Sequence, residues 1–250
     1  MTVQTAPHHI ERIRHDIRRR QLTVTATRQL SPHMLRIELT SPDLADFVSA
    51  GVDDHIKLFF QTADGESVMR DFTPRAFDND ACTLTLDFAL HDHGPAASWA
   101  RSATVGSLLN IAGPRGSMVA PDDFDWYLLI ADETGLPSIG RRLEHLRAGV
   151  PVTTVVLVDS LEDAQAIETR TEWTPHWVIR DGAGDAANLL AALRGIDWPK
   201  GEGYVWIAAE AGVAKVLRAH VVEERGHNPQ WMRAAGYWMK GEPGAHENLG

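Results

Sequence analysis

A short segment brings cations, an aromatic ring and a hydroxyl together: Arg70-Asp71-Phe72-Thr73-Pro74-Arg75. The planar guanidinium of an arginine matches the oxygens of a phosphate, so this segment could hold a diphosphate. Phe72 can stack on a flat ring, and the Thr73 hydroxyl can donate or accept a hydrogen bond. A flavin dinucleotide needs these groups. The alternative interpretation is an exposed edge strand with two solvated arginines.

Residues 91–100 combine histidines with the start of a predicted helix. Proline suits the first position of a helix, so Gly94-Pro95 predicts a helix over residues 95–101. The N–H groups at such a helix start favour a phosphate, and Gly94 lets the backbone approach a ligand closely. His91 and His93 could suggest a metal, but no third ligand is evident. We therefore interpret them as surface histidines and predict no metal site.

Two acidic segments each follow a predicted buried strand: Asp132-Glu133-Thr134-Gly135 and Glu210-Ala211-Gly212. Both lie where a strand ends and a helix begins, which is where a nicotinamide dinucleotide places its phosphates. Neither matches the G-x-G-x-x-G fingerprint, so the pattern alone is not specific. The chain has no G-x-S-x-G segment, which argues against a serine hydrolase of that type.

Two patterns of hydrophobicity divide the chain near residues 121–125. Before that point, short alternating segments rich in β-branched and aromatic residues are separated by turn sequences, which predicts an antiparallel β-barrel. After Phe124, continuous apolar strands alternate with helices, which predicts a parallel α/β sheet. The predicted fold class is therefore α+β with two domains. The barrel covers residues 21–124, and an α/β domain with a C-terminal tail covers residues 125–250.

Residues 1–20 are predicted to form an N-terminal helical extension. Ile10, Ile13 and Ile17 recur at helical spacing, and arginines occupy the other face. The helix is either a short docking element with a solvated basic face or an arm that seeks phosphate or membrane.

Composition excludes several functions. The 250 residues include 34 acidic and 24 basic side chains, a net charge of −10, so general nucleic-acid binding is not expected. Cys82 is the single cysteine, which excludes an intramolecular disulfide, a cysteine-ligated zinc site and an iron–sulfur cluster. No apolar stretch is long enough for an integral membrane segment, and no secretory signal follows Met1, so a cytoplasmic protein is expected. Any redox chemistry must then depend on a bound cofactor.

Taken in order, six segments resemble the siderophore-interacting protein family, whose members are flavin-dependent ferric-siderophore reductases with a ferredoxin-reductase-like fold. Each segment alone is weak evidence for the resemblance, and the occurrence of all six in this order is strong evidence. The segments are residues 70–75, Asp87-Phe88 with His91 and the run from Gly94-Pro95-Ala96 to Trp99-Ala100, Gly113-Pro114-Arg115-Gly116, Asp132-Glu133-Thr134 with Pro137, Glu210-Ala211-Gly212, and Gly236-Tyr237-Trp238 with Gly241.

The resemblance implies FAD in the barrel domain, with Arg70, Phe72 and Thr73 as catalytic residues near its ring. Arg70 would stabilise the negative charge of the reduced flavin. NADPH or NADH is the implied electron donor, approaching the α/β domain near Thr134 and Glu210, and the electrons pass through FAD to Fe(III). The implied cofactor-binding residues are Arg70, Phe72, Thr73, Arg75, Asp87, His91, Gly94, Ala96, Trp99, Ala100, Asp132, Thr134, Glu210 and Trp238.

The implied substrate is a ferric siderophore. Many such complexes are anionic, so the cations at the matching positions, Lys57, Arg115 and Lys240, would steer and hold it. Three alternatives stay open: a general NAD(P)H:flavin oxidoreductase with another acceptor, a siderophore-binding protein without turnover, and a regulatory module that binds NAD.

The chain departs from the family pattern at three positions. Phe72 replaces the usual tyrosine, which keeps ring stacking and loses a hydroxyl. Ala131 and Ala209 stand where glycines are common, so their methyl groups could narrow access to a nucleotide. Trp238 has two interpretations, a cover for the flavin and a packing residue near the C-terminus.

Overall fold

The computed structural model describes residues 8–62, 65–91, 94–242 and 244–249. The chain divides into two compact units. Residues 11–119 form one, named the barrel unit, and residues 1–10 with 120–250 form the other, named the α/β unit. The division between Val119 and Ala120 falls a few residues before the boundary that hydrophobicity predicts.

The barrel unit consists mainly of antiparallel strands. They are β1 (Glu11–Arg14), β2 (Arg19–Ser31), β3 (Met34–Thr40), β4 (Ile56–Gln61), β5 (Ser67–Phe72), β6 (Ala76–Asp78), β7 (Thr83–Ala89), β8 (Leu108–Ala112) and β9 (Gly116–Val119), with helix α1 (Pro95–Ser102) and a 3₁₀ turn (Pro42–Leu44). The main sheet runs in the order β5-β4-β8-β2-β3-β7-β6. Leu22, Ile37 and Leu58 are buried in its core, and Phe72 and Phe77 from the edge strands pack against the same cluster. Because both edges reach a common core, the sheet curves into the predicted barrel.

The two edge strands of this sheet follow one another along the chain. β5 ends at Phe72, β6 begins at Ala76, and Thr73-Pro74-Arg75 crosses between them. β5 pairs with β4 and β6 pairs with β7, so the crossing segment spans a seam in the sheet. The Arg75 N–H donates to the Thr85 carbonyl at 2.9 Å, which fixes one side of this seam.

The helix predicted over residues 10–20 is wrong. β1 pairs antiparallel with β9, with Ile13 opposite Ser117, and β2 already starts at Arg19. Ile17, which the helical pattern would bury, is 60% exposed. β-Branched isoleucines favour extended backbone, and pairing with β9 supplies hydrogen bonds that a short helix does not retain alone in water. Residues 1–7 of the predicted extension lie outside the described residues.

The α/β unit contains a largely parallel sheet. Its elements are β10 (Trp126–Ala131), α2 (Leu136–His145), β11 (Pro151–Val158), β12 (Glu172–Ile179), α3 (Asp185–Arg194), β13 (Gly203–Glu210), α4 (Ala211–Ala219), β14 (Met232–Trp238) and β15 (Glu247–Asn248), with 3₁₀ turns (Glu133–Gly135, Leu161–Asp163, Pro229–Trp231) and a π turn (His220–Glu224). The order is β12-β11-β10-β13-β14-β15, and β15 runs antiparallel to its neighbour. Every residue of β10 is buried, as the continuous apolar pattern predicts. Among the described residues, no helix is long and apolar enough to cross a membrane.

The register of the parallel strands aligns their carboxyl ends. Ala131 of β10 lies opposite Val156 of β11 and Ala208 of β13, while Val158 lies opposite Ile179 of β12. The residues that follow these strands therefore meet along one side of the sheet, named the carboxyl edge. The chain passes from β10 to β11 on one side and to β13 on the other, so the strand order reverses between β10 and β13. Such a reversal opens a crevice where α/β sheets bind ligands.

A histidine fastens the N-terminal residues of the α/β unit. His8 Nδ1 lies 2.8 Å from Asp123 Oδ1, and its Nε2 lies 2.8 Å from Glu202 Oε2. The ring stacks on Phe124 with 3.9 Å between centroids. Both ring nitrogens face carboxylates, so only the doubly protonated imidazolium donates to both. Burial alone would lower the pKa of His8, but the bonds to the two carboxylates raise it above its ordinary value.

Replacing His8 with Gln should destabilise the α/β unit in a pH-dependent way. The folded pKa of His8 lies above its ordinary value of 6.5, so its contribution to the free energy of unfolding is complete below that pH. The contribution should fade as the pH rises through the folded pKa. Because Asp123 and Glu202 are about half exposed, we expect less than ~1 kcal/mol. Thermal unfolding of both proteins from acid to alkaline pH measures it, and a difference that does not vary with pH would contradict this origin.

Candidate functional site

Residues 70–75 of the barrel unit, named the seam segment, place their polar groups in different surroundings. Arg70 is half-buried and donates from Nη1 to the neighbouring Met69 carbonyl at 2.7 Å. The Phe72 ring lies 4.6 Å from the Phe88 ring, centroid to centroid. Thr73 and Arg75 are buried, with 7% and 8% exposed. Phe72 therefore contributes to the barrel core as well as to the half-buried surface around Arg70.

Asp87 anchors arginines next to this segment. Its Oδ1 accepts from Arg36 Nε at 2.7 Å and its Oδ2 accepts from Arg36 Nη2 at 2.8 Å, while Arg75 Nε lies 3.8 Å from Oδ2. Asp87 is only 5% exposed. A ligand would therefore meet these arginines rather than the carboxylate itself.

Arg36 is a site residue that the sequence motifs do not indicate. The feature that could have identified it is its place in the strand pairing, because Arg36 in β3 lies directly opposite Asp87 in β7. Opposite charges at such a position stabilise paired strands. The strand pairing must be known before this signal can be used.

Helix α1 begins without a side-chain cap. Gly94 occupies the N-cap position with a φ of 129°, and no side chain accepts a capping bond there. A Cβ at Gly94 would meet nothing within 4 Å, so the positive φ, not crowding, favours glycine. His91 is exposed, and its carbonyl accepts from Arg101 Nη2 at 2.8 Å. His93, the other predicted surface histidine, lies outside the described residues.

Three residues of α1 attach the helix to the barrel core. The Trp99 ring lies 5.6 Å from Phe88 and 5.9 Å from Phe60. Ala100 is 1% exposed, and Ala96 packs half-buried against the same cluster. This packing fixes the direction of the helix start. Ala100 itself has almost no surface for a cofactor.

The donor set of the barrel unit fits FAD. The uncapped N–H groups at the start of α1 suit a diphosphate. Arg70 supplies a permanent cation, and the Thr73 hydroxyl can donate or accept. Phe72 and Trp99 are half-buried aromatic rings beside these polar groups in the sequence and packed on one core.

The predicted substrate cations fall in both units. Lys57 in β4 lies opposite Ala112 of β8, and its Nζ lies 2.7 Å from Asp71 Oδ2. Arg115 is exposed and lies three residues after Ala112, so it follows the end of β8 beside which Lys57 lies. Lys240 is exposed in the α/β unit, and its backbone N–H donates to Glu210 Oε1 at 3.3 Å. Lys57 is thus partly neutralised, whereas Arg115 and Lys240 are exposed cations.

At the carboxyl edge, Asp132 connects several elements. Its Oδ1 accepts from the Thr134 N–H at 2.9 Å and also from the Thr134 hydroxyl. Its Oδ2 accepts from the Glu210 N–H at 3.1 Å and from Trp238 Nε1 at 2.9 Å. Asp132 is 2% exposed. The predicted residues Asp132, Thr134, Glu210 and Trp238 are therefore brought together around one buried carboxylate.

Glu210 organises the start of α4. Its Oε2 accepts from the Val213 N–H at 3.0 Å, which caps the helix. Its other oxygen accepts from the Lys240 N–H, so the same side chain holds the segment after β14. Trp238 is half-buried, and its indole N–H points to Asp132.

Arg180 forms a second network at the carboxyl edge, which the motifs do not indicate. It lies 2.7 Å from Glu133 Oε2, 2.6 Å from Asp159 Oδ1 and 3.4 Å from Asp185 Oδ1. Burial, with the adjacent Asp132 charge, raises the pKa of Glu133 to about 7, although Arg180 opposes the shift. The available signal is position, since Asp159 and Arg180 directly follow β11 and β12 just as Asp132 follows β10.

Known proteins match both units of the chain. Residues 124–241 match the siderophore-interacting protein family, and residues 23–68 and 61–118 match the siderophore-interacting FAD-binding domain. The chain belongs to the siderophore-interacting protein family. It is 33% identical over 261 residues to the NADPH-dependent ferric-chelate reductase of Escherichia coli strain K12, covering 94% of this chain and 99% of that protein. The resemblance carried by the six segments is confirmed.

Solved structures confirm the predicted fold class. A siderophore utilization protein from T. fusca matches with a TM-score of 0.86 and 34% identity, covering 94% of this siderophore-interacting protein and 98% of that chain. The ferredoxin reductase in carbazole 1,9a-dioxygenase matches with a TM-score of 0.67 and 18% identity, covering 86% and 66% of the two chains. This second likeness shows a ferredoxin-reductase-like fold alone.

The two alanines at positions that the family resemblance associates with glycine are interior residues. Ala131 and Ala209 are both 0% exposed, so neither methyl group offers surface that a nucleotide could contact directly. The Ala131 methyl instead limits its neighbour in the following turn. A Cβ at Gly135 would lie 2.6 Å from Ala131 Cβ and 3.3 Å from the Ala208 carbonyl oxygen. Position 135 therefore requires glycine because Ala131 occupies the space.

Gly135→Ala should destabilise the α/β unit by about 1–3 kcal/mol, since the added methyl overpacks a filled interior. Ala131→Gly in the same chain should recover part of that loss by removing the opposing methyl. Gly182→Ala is the matched control, because a Cβ there meets nothing within 4 Å. Chemical denaturation measures all three variants. A double variant no more stable than Gly135→Ala alone would contradict the direct clash.

Proposed function

We propose that this protein is an FAD-dependent reductase that uses NAD(P)H to reduce Fe(III) in a ferric siderophore to Fe(II). The observation that carries the proposal is the donor set of the barrel unit, an uncapped helix start with Arg70 and Thr73, in a chain whose two halves match siderophore-interacting domains. The Escherichia coli relative, named a ferric-chelate reductase, supports the reaction type. Because the proposed reaction consumes NAD(P)H, we place it in the cytoplasm.

The barrel unit would hold FAD through groups of different chemistry. The start of α1, after Gly94, would receive the diphosphate, with His91 next to it in the chain. Phe72 and Trp99 would contact the apolar ring surface, and Thr73 would form a hydrogen bond to a polar ring or ribityl atom. Asp87 would keep Arg75 in place. FAD, when bound, accepts a hydride from NAD(P)H and delivers electrons to Fe(III).

Arg70 would act electrostatically. Its guanidinium is a cation, so it would stabilise negative charge that develops beside it. It is half-buried, where such an interaction is stronger than in bulk water. Arg70 and Thr73 are therefore the residues proposed to act on the reacting cofactor, and Phe72 orients its ring.

The substrate would be held by charge at the protein surface. Lys57, Arg115 and Lys240 would attract an anionic ferric siderophore. Fe(III) is ligated by the siderophore itself, so the reaction needs no iron ligand from the protein. Reduction weakens the preference of iron for hard oxygen ligands, which favours its release as Fe(II).

NAD(P)H would bind at the carboxyl edge of the α/β unit. Thr134, Glu210 and Trp238 are half-buried around the strand-order reversal, where dinucleotides bind in α/β sheets. The buried Asp132 would contribute by holding these three groups. Both NADPH and NADH are proposed donors.

The test mixes FAD-loaded protein, NADPH or NADH, a ferric siderophore and a ferrous chelator. We expect the ferrous complex to form faster than without protein, and Arg70→Ala to lower the rate per bound FAD about tenfold, or ~1.4 kcal/mol. Arg12→Ala is the matched control, because Arg12 is an exposed barrel arginine in β1, which pairs with β9 apart from the sheet that carries the proposed site. No Fe(II) above the protein-free rate would overturn the proposal.

The same measurement separates the alternatives. A siderophore-binding protein without turnover would change the spectrum of the ferric complex but never bleach the flavin when NAD(P)H is added without oxygen. A general flavin oxidoreductase would prefer other acceptors to the ferric siderophore. A regulatory module that binds NAD would be purified without the yellow colour of FAD.

Lys57→Gln should raise the KM for an anionic ferric complex roughly three- to tenfold, equivalent to about 0.7–1.4 kcal/mol. It should leave the KM for a neutral complex nearly unchanged, because only the charge attraction is lost. Lys200→Gln is the control, since Lys200 is exposed and lies outside the proposed site. Steady-state kinetics at low and high salt measure the effect. Equal changes for anionic and neutral complexes would contradict a charge-based role for Lys57.

A further inference from the structure

The carboxyl edge has its reversal of strand order between β10 and β13. Asp132 follows β10, and Glu210 is the last residue of β13, so these residues flank the crevice. The Glu210 N–H donates to Asp132 Oδ2 at 3.1 Å, and the Asp132 N–H donates to the Ala208 carbonyl at 3.3 Å. Asp132 therefore joins the two sides of the crevice by side chain and backbone.

The Asp132 carboxylate is fully used by the protein. Each of its oxygens accepts two hydrogen bonds, from the N–H and hydroxyl of Thr134 on one side and from Glu210 and Trp238 on the other. With 2% of the residue exposed, it offers no surface to a dinucleotide. A direct cofactor contact by Asp132 is therefore inconsistent with its surroundings.

The partners of Asp132 are the groups with surface at this edge. Thr134, Glu210 and Trp238 are all half-buried. They come from three different elements: the turn after β10, the end of β13 and the end of β14. Strand pairing already joins the backbones, with Glu210 opposite Trp238, so the shared acceptor chiefly orients the Trp238 indole and the Thr134 hydroxyl.

We propose that Asp132 is a positioning residue for NAD(P)H, an inference that rests on the proposed function. Its buried carboxylate holds Thr134, Glu210 and the Trp238 indole in the arrangement that binds the dinucleotide, and it does not touch the dinucleotide itself. A carboxylate suits this place because three of the four partners are N–H groups that can only donate, and they lie on both of its sides. An asparagine of the same size would turn its NH₂ group toward at least one of these N–H groups. It would lose two bonds on the side of Glu210 and Trp238, or the bond to the N–H on the side of Thr134, whose hydroxyl can also accept.

Asp132→Asn tests this role in the FAD-loaded protein. We expect the Kd for NADP⁺ and NAD⁺, measured by calorimetry, to rise about tenfold, and the KM for the reduced dinucleotides to rise in parallel. The kcat should change less than about twofold, because Arg70 and Thr73, the barrel residues proposed to act on FAD, are untouched. FAD content should equal that of the wild type. Fe(III) reduction by protein reduced chemically with dithionite, without NAD(P)H, should also be unchanged.

Trp238→Phe provides the second variant. It removes the indole N–H and keeps an aromatic ring, so it should raise the Kd for NADP⁺ less than Asp132→Asn does. In the double variant the two effects on the Kd should not add, because both single variants act on the same hydrogen bond between Asp132 and the Trp238 indole. Asp197→Asn is the matched control. Asp197 is exposed before the start of β13, at the opposite edge of the sheet.

Each outcome decides the proposal. Wild-type Kd values in Asp132→Asn would overturn the positioning role and leave the proposed function intact. Wild-type protein that binds neither NADP⁺ nor NAD⁺ would overturn both. If Asp132→Asn does not fold, Trp238→Phe decides: an unchanged Kd overturns the proposal, and a raised Kd with normal FAD content supports it. A loss of kcat with no change in Kd would also overturn it.

Discussion

The carboxyl edge of the α/β unit depends on one buried carboxylate keeping all of its hydrogen bonds. A charge removed from water costs several kcal/mol unless it is compensated, and Asp132 is 2% exposed. Four donors from three elements supply the compensation. The turn after β10, the end of β13 and the Trp238 indole are therefore fixed by the same requirement. A saturated carboxylate orders its neighbours, and for the same reason it has no bonds left for a ligand.

Asp87 is the buried carboxylate that orders its neighbours in the barrel unit. It is buried, binds Arg36 through both oxygens and lies near Arg75, which ends the seam segment. Breaking a buried ion pair leaves an uncompensated charge, so the two arginines are held firmly. In each unit the sequence motif thus contains an acid that supports other groups. The chemistry is left to residues with more exposure, such as Arg70 and Thr134.

The sequence was sufficient for the two sheets because their signals are local. Alternation predicts the barrel strands, continuous apolar segments predict β10 and its parallel neighbours, and both predictions are confirmed. The helix over residues 10–20 failed because isoleucine spacing carries no information about β9, a partner about a hundred residues away. Arg36 and Arg180 were missed for a related reason. The partner of Arg36 lies on another strand, and the partners of Arg180 lie in a turn, after β11 and at the start of α3, so both roles are visible only once the order and register of the strands are known.

Charge decides the range over which an anionic substrate could be recognised. The chain carries a net charge of −10, which repels anions at long range. At physiological ionic strength, however, exposed charges are screened beyond about 8 Å, so cations in contact with the substrate outweigh the total. Lys57 is 36% exposed and already paired with Asp71, which leaves part of its charge for a substrate. The proposed ferric complex would therefore be selected on contact, by its own charge and shape, rather than attracted from a distance.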